Sequence, residues 1–251
     1  MTIGTTASPK MGIGKTINKI PISIIYMGEP GRGKTHKCLT SHPNLDEVFF
    51  IDTTSDGEEY KSILKAFKYD KEKASKHYFN ADDIDGIGKK VDSLGSDIKV
   101  VIVDSASDLQ DMCIEKYVGI RKKHPKPFQF NIVRGYWIAI HSNIISKGYN
   151  LIYTTKVKDE YVALKEEKGS SSFADSAPTG KRIPAYFKGL EWKCDFIFEI
   201  VFSINEGRKF ILRKSRLLDM AEFRDREFES DDITVEKLYD FAGIPKEFRC
   251  L

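Results

Sequence analysis

Short apolar, β-branched runs alternate along the chain with segments in which apolar residues recur at helical spacing. The strand-like runs span residues 22–27, 48–51, 100–103, 151–154, 196–202 and 209–212. Helical spacing is clearest at Leu109, Met112, Cys113, Tyr117 and Ile120, and at Val133, Tyr136, Trp137, Ile140 and Ile144. This alternation predicts an α/β fold with a mostly parallel sheet flanked by helices, ending in a C-terminal β-hairpin across residues 205–207.

Three regions are predicted from the same pattern: a flexible arm over 1–19, a core over 20–230 and a short helical extension over 231–251. Asp82 is expected to cap a helix through Ile87 and Val91, and Thr234 to open the final helix. Residues 121–129 and 159–181 break the pattern and are predicted to be irregular loops. A long loop in a compact domain is typically functional or disordered.

Composition narrows the class of protein. With 251 residues, 41% of them hydrophobic and 31% charged, the chain fits one soluble globular domain. No apolar run approaches the ~20 residues that would cross a bilayer, and no signal peptide is recognisable. We therefore expect an intracellular, cytoplasmic protein without membrane contact. The four cysteines lack the spacing of a zinc site or a disulfide framework, and the net charge of +3 neither requires nor excludes nucleic acid.

A glycine-rich segment directly follows the first predicted strand and matches GxxxxGK[ST] at every fixed position. It consists of Gly28, Glu29, Pro30, Gly31, Arg32, Gly33, Lys34 and Thr35. In such a P-loop the backbone N–H groups curl around phosphates and the dipole of the following helix favours them. Lys34 is expected to reach the β- and γ-phosphates, and Thr35 to ligate magnesium. The predicted ligands are ATP and Mg²⁺, since no guanine-specific motif is apparent.

An acidic residue at the end of another predicted strand supports the P-loop assignment. The apolar run over 100–103 ends at Asp104, where a carboxylate at the end of a buried strand can hold magnesium. Lys34 and Asp104 are therefore predicted to be catalytic, with Thr35 and Asp104 as the metal site.

With both motifs placed, the chain resembles the RecA-like P-loop ATPases, and in particular small AAA-type nucleotide-binding proteins of phages and archaeal viruses. The resemblance rests on GEPGRGKT at 28–35, FFIDTT at 49–54, VVIVDSASDL at 100–109, GYNLIYTT at 148–155 and the late KSR at 214–216. It implies a carboxylate after the second strand that activates water. Thr54 occupies that position, so the resemblance leaves hydrolysis less supported than binding; Asp52, Glu58 and Glu59 are the nearby carboxylates.

The resemblance assigns three further features. Thr154 would sense the γ-phosphate, and Arg216 would be a catalytic finger inserted into a neighbour's site, making the active form an oligomeric ring or filament. Basic loops would face single-stranded DNA. The candidate side chains are Arg121, Lys122, Lys123 and Lys126 in one loop, and Lys165, Lys168, Phe173, Lys181 and Arg182 in or next to the other.

These features favour an ATPase of viral or mobile-element DNA recombination, replication or repair. One alternative is a nucleotide-gated assembly module with little hydrolysis, as Thr54 suggests. A P-loop kinase is another, with Arg213, Arg216, Arg224 and Arg226 as lid arginines. A genome-packaging motor ranks lower, because no nuclease motif is apparent.

Overall fold

The computed structural model describes residues 19–54, 57, 59–119, 127–163, 176–185 and 190–251. The strands are β1 Ser23–Met27, β2 Val48–Asp52, β3 Tyr78–Asn80, β4 Val100–Asp104, β5 Asn150–Thr155, β6 Val157–Ala163, β7 Ser176–Pro184, β8 Phe196–Ser203, β9 Gly207–Ser215 and β10 Glu227–Phe228. The helices are α1 Lys34–Leu39, α2 Tyr60–Ala66, α3 Lys71–Lys76, α4 Ile84–Asp92, α5 Ala106–Val118, α6 Pro127–Ser146, α7 Met220–Phe223 and α8 Val235–Phe241.

Within these residues the main sheet has the strand order β10-β9-β8-β1-β5-β4-β2-β3. The strands from β8 to β3 pair in parallel, whereas β9 and β10 are added antiparallel at the β8 edge. This arrangement confirms the predicted α/β fold with a mostly parallel sheet and a C-terminal hairpin. β1 lies between β8 and β5, so its carboxyl end opens at the centre of the sheet.

Both faces of the sheet are covered, which is why its central strands are apolar throughout. Alternate residues face opposite ways: Ile25 and Met27 pack with helices α4, α5 and α6, whereas Ile24 and Tyr26 pack with α1, α2 and α8. The buried stripes of α5 and α6 match the predicted helical spacing, although Tyr136 is 43% exposed and stacks on Tyr117. All four cysteines are buried.

The C-terminal residues cover the end of the sheet at which the central strand β1 begins. The Oδ1 atom of Asn150 accepts hydrogen bonds from the Ile22 backbone N–H (2.9 Å) and the Tyr239 hydroxyl (2.6 Å). Its Nδ2 atom donates to the carbonyl of Cys250 (2.5 Å). One buried amide therefore joins β5, the entry to β1 and the C-terminal segment, which packs into the same core as the rest of the domain.

Three local predictions are corrected by the structure. Asp83, not Asp82, caps α4, because its Oδ1 accepts from the Gly86 N–H at 2.6 Å. The stretch over 159–181 is not loop throughout: parts of it belong to β6 and β7, which pair as a two-stranded antiparallel ribbon. Residues 127–129 likewise begin helix α6. Thr234 opens α8 as predicted, accepting from the Lys237 N–H.

None of the helices in the described ranges combines the length and the apolar composition of a membrane span.

Candidate nucleotide-binding site

The P-loop joins β1 to α1 and depends on glycine at three points. Gly31 and Gly33 have φ angles of 74° and 85°, in the left-handed region that other residues rarely adopt. A Cβ atom at Gly28 would lie 3.1 Å from the carbonyl oxygen of Ile200 on β8. The loop therefore curls tightly against the sheet, as a phosphate cradle requires.

Lys34 crosses the loop that precedes it. Its Nζ atom donates to the carbonyl oxygens of Gly28 and Glu29, each at 3.0 Å. Burial lowers the pKa of Lys34, and the negative charge of Asp104 opposes that shift. The ammonium group thus lies inside the curve of the loop, within reach of a bound phosphate.

Asp104 joins the P-loop to two neighbouring strands. Its Oδ2 atom accepts a hydrogen bond from the Thr35 hydroxyl at 2.7 Å, and its Oδ1 atom accepts from the Thr154 hydroxyl. Burial raises the pKa of Asp104, whereas the two hydroxyls and Lys34 lower it. Lys34, Thr35, Asp104 and Thr154, predicted from separate motifs, therefore lie together.

This arrangement fits magnesium rather than a transition metal. Thr35 and Asp104 present hard oxygen ligands, whereas no group of three or more His, Cys, Asp or Glu side chains with metal-site geometry occurs in the described part of the chain. Magnesium typically takes one or two protein ligands and completes its shell with water and substrate phosphates. Thr35 and Asp104 would hold the ion in this way.

Glu59, immediately before α2, turns back towards the same site. Its pKa is raised by burial and by the charge of Asp104, and is lowered by the Thr35 hydroxyl. The Glu59 carboxylate therefore lies close to both magnesium-site residues. Glu58 lies outside the described residues.

The other carboxylate after the second strand is fully engaged. Asp52 accepts from the backbone N–H and hydroxyl of Thr54 at 2.8 and 2.6 Å through Oδ1, and from the Tyr78 hydroxyl at 2.7 Å through Oδ2. Asp52 is buried and fixes the backbone turn after β2. Of the described nearby carboxylates, Glu59 is thus better placed than Asp52 to face a substrate.

Arg216 lies at the opposite end of the sheet from its own P-loop. Strand β9 runs antiparallel to β8, so its last residue, Ser215, pairs with Phe196, which in turn pairs with Ile24 near the start of β1. There the Arg216 guanidinium donates to the Lys193 carbonyl at 3.0 Å. Arg213 is held by Glu199 and Asp225. Arg216 therefore does not lie over its own P-loop as a kinase lid residue would, and Arg213 is already paired with two carboxylates.

Arg208, which the sequence pattern does not single out, also lies beside the P-loop. A Cβ atom at Gly33 would lie 2.7 Å from its Cζ atom. No sequence motif marks Arg208; its position follows from the antiparallel return of β9, which brings its first residues back to the carboxyl end of β8.

Much of the predicted DNA-binding surface, residues 120–126 and 164–175, lies outside the described residues. His124 and Phe173 are among them. Of the described cations in the second stretch, Lys181 is exposed, but Arg182 forms ion pairs with Glu29 of the P-loop and with the buried Glu199. The ribbon of β6 and β7 therefore contacts the phosphate cradle directly.

Comparisons with known proteins agree with this geometry. The family described as AAA domain matches residues 20–183. A search of curated protein sequences gives no significant match. Among solved structures, the crystal structure of the RadB recombinase is similar with a TM-score of 0.51 and 15% sequence identity, over 83% of this chain and 86% of that one.

At that identity the RadB likeness supports the fold alone, whereas the family match spans more than half of the chain. The protein therefore belongs to the AAA domain family of P-loop ATPases and has a RecA-like fold.

Proposed function

We propose that the protein binds ATP with magnesium in the P-loop and hydrolyses it. The observation that carries this proposal is the hydrogen bond between the Thr35 hydroxyl and the Asp104 carboxylate, beside a loop whose Lys34 points into the cradle. P-loop, hydroxyl and strand-end carboxylate are the parts that position a nucleoside triphosphate and its metal ion.

Each side chain has a distinct task in the proposed reaction. Lys34 exchanges the carbonyls of Gly28 and Glu29 for the β- and γ-phosphates. Magnesium held by Thr35 and Asp104 would neutralise charge on those phosphates. Thr154 holds Asp104 in place. Glu59 orients the attacking water and accepts its proton, so that water oxygen bonds to the γ-phosphorus while the bond to the β–γ bridging oxygen breaks, yielding ADP and phosphate.

Arg216 is proposed to act on a neighbouring subunit, in a ring or filament. Its position at the end of the sheet where β1 begins rules out contact with the phosphates at its own P-loop. Mixing inactive Arg216→Ala and Lys34→Ala chains tests this: mixed oligomers contain sites with an intact Lys34 and an intact neighbouring Arg216, and we expect turnover to reappear. Mixed oligomers that stay inactive would count against Arg216 acting at a neighbouring subunit's nucleotide site.

Single-stranded DNA is the proposed partner, in recombination, replication or repair of viral or other mobile DNA inside a cell. The ribbon of β6 and β7 exposes Tyr161 and Lys181, an aromatic ring and a cation of the kind that bind single strands. The ion pair between Arg182 and Glu29 gives this ribbon a direct contact with the P-loop.

The test is ATP hydrolysis with and without single-stranded DNA, in wild type and Lys34→Ala. We expect DNA to raise the rate in the wild type, with the stimulation falling as salt rises because phosphate contacts release counterions. A rate that no DNA changes would remove the DNA part of the proposal while leaving ATP hydrolysis standing.

A second candidate is a nucleotide-gated assembly module with little hydrolysis, favoured by Thr54 at the position where the family resemblance implies a glutamate. The two candidates differ in turnover. Tight ATP binding and nucleotide-dependent assembly with negligible phosphate release would favour the module.

A further inference from the structure

A cavity of about 360 Å³ opens beside the P-loop, on the side away from Asp104. Residues from three parts of the chain line it: Gly33, His36 and Lys37 at the P-loop and α1, Phe202 and Arg208 on the hairpin of β8 and β9, and Glu229. Its volume lies within the range of small-molecule sites.

Sheet order fixes how a nucleotide would run across the P-loop. Asp104 on β4 and Thr154 on β5 lie on one side of β1, and β8 with β9 lies on the other. The γ-phosphate and magnesium must be at the Asp104 side. The nucleoside must therefore leave the P-loop towards the hairpin of β8 and β9, where the cavity lies.

The hairpin of β8 and β9 offers two side chains suited to binding the nucleoside end of the nucleotide. Phe202 is 47% exposed, and the Cζ atom of Arg32 lies 5.7 Å from its ring centroid. The Arg208 guanidinium covers Gly33 and forms no ion pair with any carboxylate in the described ranges. The exposed Phe202 ring thus lies beside two guanidinium groups, one from the P-loop residue Arg32 and one from Arg208, which lies against Gly33.

Lys37 and Phe210, both of which line the cavity, contact each other and are held by the surrounding chain. The Nζ atom of Lys37 donates to the Ser230 carbonyl at 2.6 Å and lies 5.7 Å from the centroid of Phe210. Both side chains are buried. These two side chains are already packed, so the exposed part of the lining is supplied by the hairpin and the P-loop.

We propose that this cavity binds the nucleoside of the nucleotide within the same chain, with Phe202 stacking on the base and Arg208 binding the phosphate next to the ribose. The inference rests on the proposed ATP binding and adds the residues that hold the other end of the ligand. Because any base can stack on an aromatic ring, Phe202 contributes to binding ATP and GTP alike.

The experiment measures affinities for ATP, GTP and inorganic tripolyphosphate by calorimetry, without turnover. Phe202→Ala is expected to weaken ATP and GTP about tenfold each and to leave tripolyphosphate unchanged, because stacking needs a base. Arg208→Ala is expected to weaken ATP about tenfold or more through loss of a charged hydrogen bond.

Two matched controls address folding and charge. Ile204→Ala removes a hydrophobic side chain that is 92% exposed on the same hairpin, and Lys246→Ala removes an exposed positive charge near the C-terminus. Both should bind ATP as the wild type does. Circular dichroism and thermal unfolding of each variant check that the fold is intact.

The outcomes separate this inference from the proposed function. ATP binding that is lost in Lys34→Ala but unchanged in Phe202→Ala and Arg208→Ala would overturn this inference alone. Absence of ATP binding by the wild type, or binding unaffected by Lys34→Ala, would overturn both.

Discussion

The hydroxyl of Thr35 donates a hydrogen bond to the carboxylate of Asp104 at 2.7 Å, across 69 positions of sequence. Thr35 lies in the first turn of helix α1, and Asp104 ends strand β4, which is two places from β1 in the sheet. The contact exists because both residues lie at the carboxyl edge of the parallel strands, where a metal ion and phosphates can be bound together.

Replacing Asp104 with Asn tests its role in holding magnesium. Asn is nearly isosteric and can still accept from Thr154, but it lacks the charge that attracts the cation. We expect ATP affinity to become nearly independent of magnesium, whereas the wild type binds ATP more tightly when magnesium is present. Calorimetric titrations with magnesium and with EDTA give this comparison; equal magnesium dependence in both proteins would exclude the assignment.

Glu59→Gln is expected to lower ATP turnover about 100-fold or more while leaving ATP affinity within a few-fold, because an amide cannot accept the proton of water. The wild-type rate should rise with pH through the Glu59 ionisation. That rise should occur above the ordinary range for glutamate, since burial raises the pKa of Glu59.

The matched control is Glu72→Gln, on the exposed surface of α3. It should turn over ATP at the wild-type rate. Full activity in Glu59→Gln would point to a different residue or to water activated by the substrate itself.

Asn150→Ala is expected to destabilise the fold by about 2–4 kcal/mol, because it leaves the Ile22 N–H and the Cys250 carbonyl without their buried partner. Asn143→Ala is the control, since Asn143 makes one exposed side-chain bond to Asp92. Urea unfolding of both variants measures the difference. Equal, small effects would mean that Asn150 does not secure the C-terminal segment.

Lys37 predicts a pH dependence of stability. Burial lowers its pKa from 10.5 to about 8 in the folded chain, so the unfolded chain binds more protons between those values. Stability therefore rises with pH in this window through Lys37, and its destabilising effect is fully present below pH 8.

Lys37→Met removes this titration. In unfolding experiments without nucleotide, the wild type should gain stability relative to Lys37→Met as pH rises from about 8 to 10. A difference between the two proteins that stays constant with pH would mean that Lys37 titrates normally.

The sequence predicts those strands and helices whose burial leaves a clear pattern of apolar residues. The core strands and helices α5 and α6 were recoverable because burial on both faces of the sheet produces unbroken apolar runs, and helix burial produces apolar spacing. Strand β3 was not predicted, because Tyr78, Phe79 and Asn80 form too short a run. The ribbon of β6 and β7 has no strand pattern in the sequence, since its strands carry Pro, Gly and charged residues.

Some residues of the nucleotide site could likewise be predicted from the sequence, and others could not. Lys34, Thr35 and Asp104 belong to contiguous motifs whose spacing the chemistry constrains. Glu59 was only one of several nearby carboxylates in the sequence, because its approach to Asp104 depends on how the segment after β2 folds back. Arg208 carried no signal at all, since only the pairing of β9 with β8 brings it to Gly33.

Magnesium-dependent ATP hydrolysis by the wild type and Lys34→Ala, measured as phosphate release in the same preparation, tests the central claim most directly. We predict turnover in the wild type that requires magnesium, and a loss of at least about 100-fold in Lys34→Ala, because the ammonium group that binds the β- and γ-phosphates is gone. Equal rates in the two proteins would contradict the assignment of this P-loop as the site of ATP hydrolysis.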